Sequence, residues 1–95
     1  MKENRVKDLK SAIDGLIWLS AESAQHQPRR FLVDVHVSSS CKTATVEILD
    51  AQTESIIYLD SSDGKPFTAE TILAMEDRLI EKLADLKKLQ EIAEL

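Results

Sequence analysis

Between Thr68 and Leu95 the chain contains no glycine and no proline, and its apolar residues return at helical spacing. About 26 helical residues at about 1.5 Å each span roughly 40 Å. A compact 95-residue domain has a radius of gyration near ~12–13 Å, so it is only about 30–35 Å across. Such a helix either overhangs its own domain or has its far end covered by something else. Both options point to assembly rather than to chemistry.

The rest of the chain bounds the fold around that helix. Ninety-five residues make one domain, 1–95, with a modest core and a thin stability margin. With 43% hydrophobic and 31% charged residues, the chain has enough apolar surface to bury, so disorder is not expected. No apolar run approaches the ~20 residues of a membrane span. Met1-Lys2-Glu3-Asn4-Arg5 is followed by no apolar stretch of the kind a signal peptide carries. The single cysteine, Cys41, has no intrachain partner. Together these features lead to the expectation of a cytoplasmic protein.

Two helices and three strands can be read along the chain. Over residues 4–24, Val6, Leu9, Ile13, Leu16, Ile17 and Ala24 fall in a stripe about 100° wide, the geometry of a core-facing helix. Gly15 sits mid-helix, where it costs up to ~1 kcal/mol relative to alanine, so a close neighbour is expected there. Phe31, Val33, Val35 and Val37 then alternate with Arg30, Leu32, Asp34, His36 and Ser38, which predicts a half-buried strand. After a turn at Ser38–Cys41, a second strand places Ala44, Val46 and Ile48 inward. A second turn at Asp50–Glu54 leads into Ser55-Ile56-Ile57-Tyr58-Leu59. Connections this short imply an antiparallel meander. Asp63-Gly64 marks one more turn. Thr68 is a natural N-cap for the last helix, flanked by Phe67 and Ile72 at the positions of a hydrophobic staple. The expected fold is α+β in the order α-β-β-β-α. Both helices cover one face of the sheet, and the other face is left open and fairly polar.

This order resembles that of double-stranded-RNA-binding domains. Those domains bind through a basic cluster at the start of the last helix. Here that segment reads Thr68-Ala69-Glu70-Thr71, followed by Glu76-Asp77, so the resemblance stops at topology. Charge distribution agrees. Residues 1–46 hold seven basic and five acidic side chains, a balance of +2, whereas residues 47–95 hold five basic and twelve acidic, a balance of −7. An acidic half is poorly suited to phosphate neutralisation. It suits a basic protein partner, or attraction between the two halves. Arg29, Arg30 and Lys42 are the residues from which a small anion patch could be built, and they define the nucleic-acid alternative.

Catalytic patterns are missing. His26 and His36 are the only histidines, with no ligand spacing around them, and a zinc site needs three or four ligands. No nucleophile motif or phosphate loop is present, and two glycines are too few to build a backbone cradle. The chain is therefore expected to be no enzyme, with no cofactor and no metal. Leu32, His36 and Tyr58 define a third alternative, a ligand site on the open sheet face.

Trp18 lies roughly 150° from the middle of the first helix's apolar stripe, among Lys7, Ser11, Asp14 and Glu22. A tryptophan on a polar face is a candidate contact anchor. On the last helix, Ile72, Met75, Leu79, Leu83 and Leu86 form one stripe, widened by Leu73 and Ile80. Beyond it, Leu89, Ile92, Ala93 and Leu95 drift to another direction, and a changed direction suggests a changed partner. Glu70, Asp77, Glu81 and Asp85 line an acidic face. The sequence thus leads to a small adaptor, inhibitor or assembly factor that forms a homodimer through Leu86, Leu89, Ile92 and Ala93, with Trp18. Short acidic chains of this composition are common among phage and mobile-element accessory proteins.

Overall fold

The computed structural model describes residues 8–25 and 30–93, with Ala93 described by its backbone only. The elements are α1 (Leu9–Gln25), β1 (Phe31–Ser38), β2 (Thr43–Asp50), β3 (Ser55–Ser61) and α2 (Ala69–Ala93). This is the expected α-β-β-β-α order. The three strands form one antiparallel sheet in the order β1-β2-β3.

Both helices start where a side chain caps them. Asp8 accepts a bond from the Ser11 amide at 2.8 Å through its carboxylate, and its carbonyl accepts from Ala12. That is N-cap geometry, so α1 begins at Leu9 and not at residue 4. Val6, expected in the core stripe, lies outside the described residues. Thr68 caps α2 as expected, taking the Thr71 amide on its hydroxyl and the Ile72 amide on its carbonyl. Phe67 and Ile72 both pack into the core.

The core comprises Ala12 and Leu16 of α1, Val33 of β1, Ala44, Val46 and Ile48 of β2, and Ile72, Met75 and Leu79 of α2. The inward alternation on β2 is the one its sequence predicts. On β1, Phe31 and Val35 pack against the core, but Val37, expected inward with them, is exposed. Both hairpins close with four-residue loops whose last residue, Lys42 or Glu54, is left-handed at φ 54° or 59°. After β3 the Lys65 amide bonds to the Ser62 carbonyl, with Gly64 at φ 81°. This is the expected Asp63-Gly64 turn, with glycine where positive φ is required.

Gly15 meets an unexpected neighbour. A Cβ at that position would stand 2.9 Å from Oε2 of Glu76. The close approach is therefore made by the far end of a flexible side chain on α2, not by backbone. It fixes which side of α2 faces α1.

Candidate protein-interaction surfaces

At 25 residues α2 is about 37 Å long, whereas an eight-residue strand such as β1 spans only about 26 Å. The helix outruns the sheet beneath it. The radius of gyration is 14.5 Å and the long dimension 49 Å, both above the compact expectation. Ile72, Met75 and Leu79 are closed to solvent, and Leu83 and Leu86 still pack against the core. Leu86 thus belongs to the covered part of the helix, not to its surplus. Leu89 and Ile92 are 63% and 64% exposed. The side chain of Ala93 and all of Leu95 lie outside the described residues.

Trp18 stands on α1 with 61% of its surface exposed. Among the described residues neither α2 nor a loop covers it. Ile17 beside it is also exposed. Glu70, Asp77, Glu81 and Asp85 are all exposed on α2, as an acidic face requires.

The two sheet edges are treated differently, which the sequence reading missed. On β1, Ser20 of α1 donates its hydroxyl to the Val33 carbonyl at 2.7 Å. The Val33 amide donates to Oγ of Ser23 at 3.0 Å, and Ser23 in turn donates to the Ser20 carbonyl at 2.8 Å. Two serines one helical turn apart therefore occupy the outward backbone groups of Val33, covering a sheet edge that would otherwise be open to pairing. Among the described residues β3 has no such cover. Just after β3 the buried Ser62 bonds inward instead, taking the Ala44 amide on its hydroxyl and giving its own amide to the Ala44 carbonyl.

The open sheet face is also less polar than expected. Register places Leu32 opposite Leu49, and Leu49 opposite Ile56, so these three form an apolar row. The next row is Asp34, Glu47 and Leu59. A bulge at Ile57 between these pairings shifts the parity of β3. Ile56, Ile57 and Leu59 are consequently all exposed. The same shift moves Tyr58 off this face. It stands opposite Ile48, packs against the core and lies 3.5 Å from Asp60 through its hydroxyl. Burial, with Asp60 close by, pushes its phenol pKa up. The expected grouping of Leu32, His36 and Tyr58 on one face is therefore not formed. His36 remains on the open face, exposed, 3.6 Å from Glu47.

The possible anion patch does not assemble either. Arg30 lies just before the pairing of Phe31 with Asp50, and Lys42 lies just beyond that of Ser38 with Thr43, at the opposite end of β1. Arg29 lies outside the described residues, as does His26. Arg30 is engaged with Asp50, donating from Nη2 at 3.0 Å and from Nε at 3.2 and 3.3 Å, and it stacks 5.2 Å above the Phe31 ring. Asp50 is buried, and the hydrogen bonds from Arg30 hold its carboxyl below the usual aspartate range. This pair locks the strand end and engages the charge of Arg30 within the chain. Among the described residues no three His, Cys, Asp or Glu side chains gather into a metal-sized group. No helix among them is long and apolar enough to cross a membrane. Cys41 is exposed in the first hairpin loop.

Comparison with protein families, characterised proteins and solved structures returns no match for the chain.

Proposed function

We propose that this protein is a non-catalytic protein-interaction module of the cytoplasm, an adaptor, inhibitor or assembly factor that acts as a homodimer. The observation that carries this reading is the end of α2. Leu89 and Ile92 stand nearly two-thirds exposed on helix that has run past its own sheet. A large aliphatic side chain loses roughly 1.5–3 kcal/mol of available burial by remaining in water. Two of them on adjacent turns favour a partner. Trp18, exposed on α1, supplies a further anchor. The acidic residues of α2 suit a basic protein as the dimer's own target.

Light scattering at micromolar concentration tests this. The expected mass is twice the 10.7 kDa of the chain. Leu89→Asp with Ile92→Asp should return it to the single-chain mass without loss of helicity. A wild-type chain that runs as a monomer would sink the homodimer reading. A second protein-contact surface is favoured by one observation, the exposed Ile56 and Leu59 beside Leu32 and Leu49 on the open sheet face. Ile56→Lys with Leu59→Lys should abolish any contact made there and leave the dimer intact.

A further inference from the structure

The open sheet face carries an electrostatic conflict. Register sets Asp34 of β1 directly opposite Glu47 of β2. Side chains so placed have Cβ atoms about 4.5–5.5 Å apart, and like charges there oppose folding. Among the described residues Asp34 has no ion pair, and Glu47 has only the exposed imidazole of His36, at 3.6 Å. Arg30, on the same strand side of the sheet, is bound to Asp50 instead. Apolar side chains flank the opposed carboxylates. Leu59 of β3 stands beside Glu47, and the adjoining row is Leu32, Leu49 and Ile56. Ile56 and Leu59 are 56% and 62% exposed.

This combination selects its occupant. Opposed carboxylates repel phosphate, so nucleic acid and an anionic membrane surface are poorly suited. A second copy of the same face would bring two further carboxylates to an interface that already holds two. What fits is a cation carried on an apolar surface. The face is two inter-strand spacings wide, about 10 Å, which is the diameter of one α-helix. Successive rows on it are two residues apart, about 7 Å. Positions i and i+4 of a helix are separated by about 6 Å along its axis. A helix laid along the strands with an aliphatic side chain over Leu49 therefore sets a residue one turn away over Asp34 and Glu47.

We propose that the open sheet face binds an amphipathic helix of a basic partner protein, with an arginine or lysine seated between Asp34 and Glu47 and aliphatic side chains on Leu32, Leu49, Ile56 and Leu59. This rests on the protein-contact reading of the open face and not on the homodimer. The repulsion carried by the free chain is relieved when the cation arrives, so binding gains from the free state as well as from the new contacts. A guanidinium suits the position because its planar donors can serve two carboxylates at once.

Selection from a displayed library of helical peptides with randomised faces, using the whole chain as bait, tests this. Binders should carry Arg or Lys one helical turn from Leu or Ile, and added salt should weaken them. Asp34→Asn with Glu47→Gln should weaken the selected peptide at least tenfold and remove most of its salt dependence. The same variant should be as stable as the parent or more so in urea, because the opposed charges are gone. Leu59→Lys should abolish binding. Leu89→Asp with Ile92→Asp should leave it unchanged, whatever the oligomeric mass, which separates this inference from the homodimer reading. A library that yields no binder at this face, or binders without a cation, overturns the inference. So does an affinity that ignores Asp34→Asn with Glu47→Gln, or a loss of stability in that variant, which would make the pair part of the fold. A wild-type dimer that Leu59→Lys dissociates also overturns it, because a second copy would then occupy the face.

Discussion

Ile72, Met75 and Leu79 in the first half of α2 are closed to solvent, whereas Leu89 and Ile92 in the second half are nearly two-thirds exposed. Both sets are large aliphatic side chains at helical spacing, and the helix between them is unbroken. What differs is the surface beneath. The first half lies over Val46 and Ile48 of the central strand and beside α1. Beyond Leu86 the helix has passed the end of that support. The comparison teaches that one amphipathic helix can serve two purposes in series. Its first turns close a core within the chain, and its last turns carry apolar surface outward.

The sharpest way to break this comparison is to truncate one residue in each half. Leu79→Ala removes a fully buried side chain and should cost about 2–5 kcal/mol, read from urea unfolding. An effect below about 1 kcal/mol would mean that the first half does not close the core. At the far end of the sheet, Arg30→Gln removes the partner of buried Asp50. Asp50 has a depressed folded-state pKa, so its contribution is present above the ordinary aspartate pKa near ~3.9 and is lost as pH falls through the depressed value. The variant should therefore unfold at a higher pH on acid titration, with no change in oligomeric mass at neutral pH. An unchanged acid midpoint would mean that the pair is not part of what holds the strand end.

Gly15→Ala tests the α1 side of α2. The new methyl would crowd only the carboxylate end of Glu76, which can swing away. Helix propensity should then win, raising stability by up to about 1 kcal/mol. A loss of stability would show that Glu76 is held in place. The smallest effect is expected from Leu89→Ala under dilute, monomeric conditions, where unfolding free energy should change by no more than about 0.5 kcal/mol. A large loss there would place Leu89 in the monomer core and erase the difference between the two halves.

Much of the fold was legible because burial imposes a period. Alternation at Ala44, Val46 and Ile48 and the helical stripe of Ile72, Met75 and Leu79 each admit one folded reading. Thr68 and Asp63-Gly64 were legible because capping and positive φ are local demands. Other features depend on groups distant in sequence. The start of α1 was misplaced because apolar spacing continued upstream of Asp8, and only the capping bond shows where the helix begins. Tyr58 was placed on the wrong face because the bulge at Ile57 is decided by pairing with β2, not by β3 itself. Ser20 and Ser23 look like ordinary helix serines until Val33 is brought against them. Arg30 and Lys42 are near in sequence but at opposite ends of a strand, which a list of basic residues cannot reveal.

The sequence by itself determined the elements, their order, the inward face of β2 and the excess length of α2, because each follows from local spacing and chain length. Only the tertiary structure decided where the excess begins, which sheet edge is covered and which side of α2 is free. Those outcomes depend on the distance between groups far apart in the chain. α1 seals one side of α2 and one edge of the sheet, and the opposite side is left to whatever binds it.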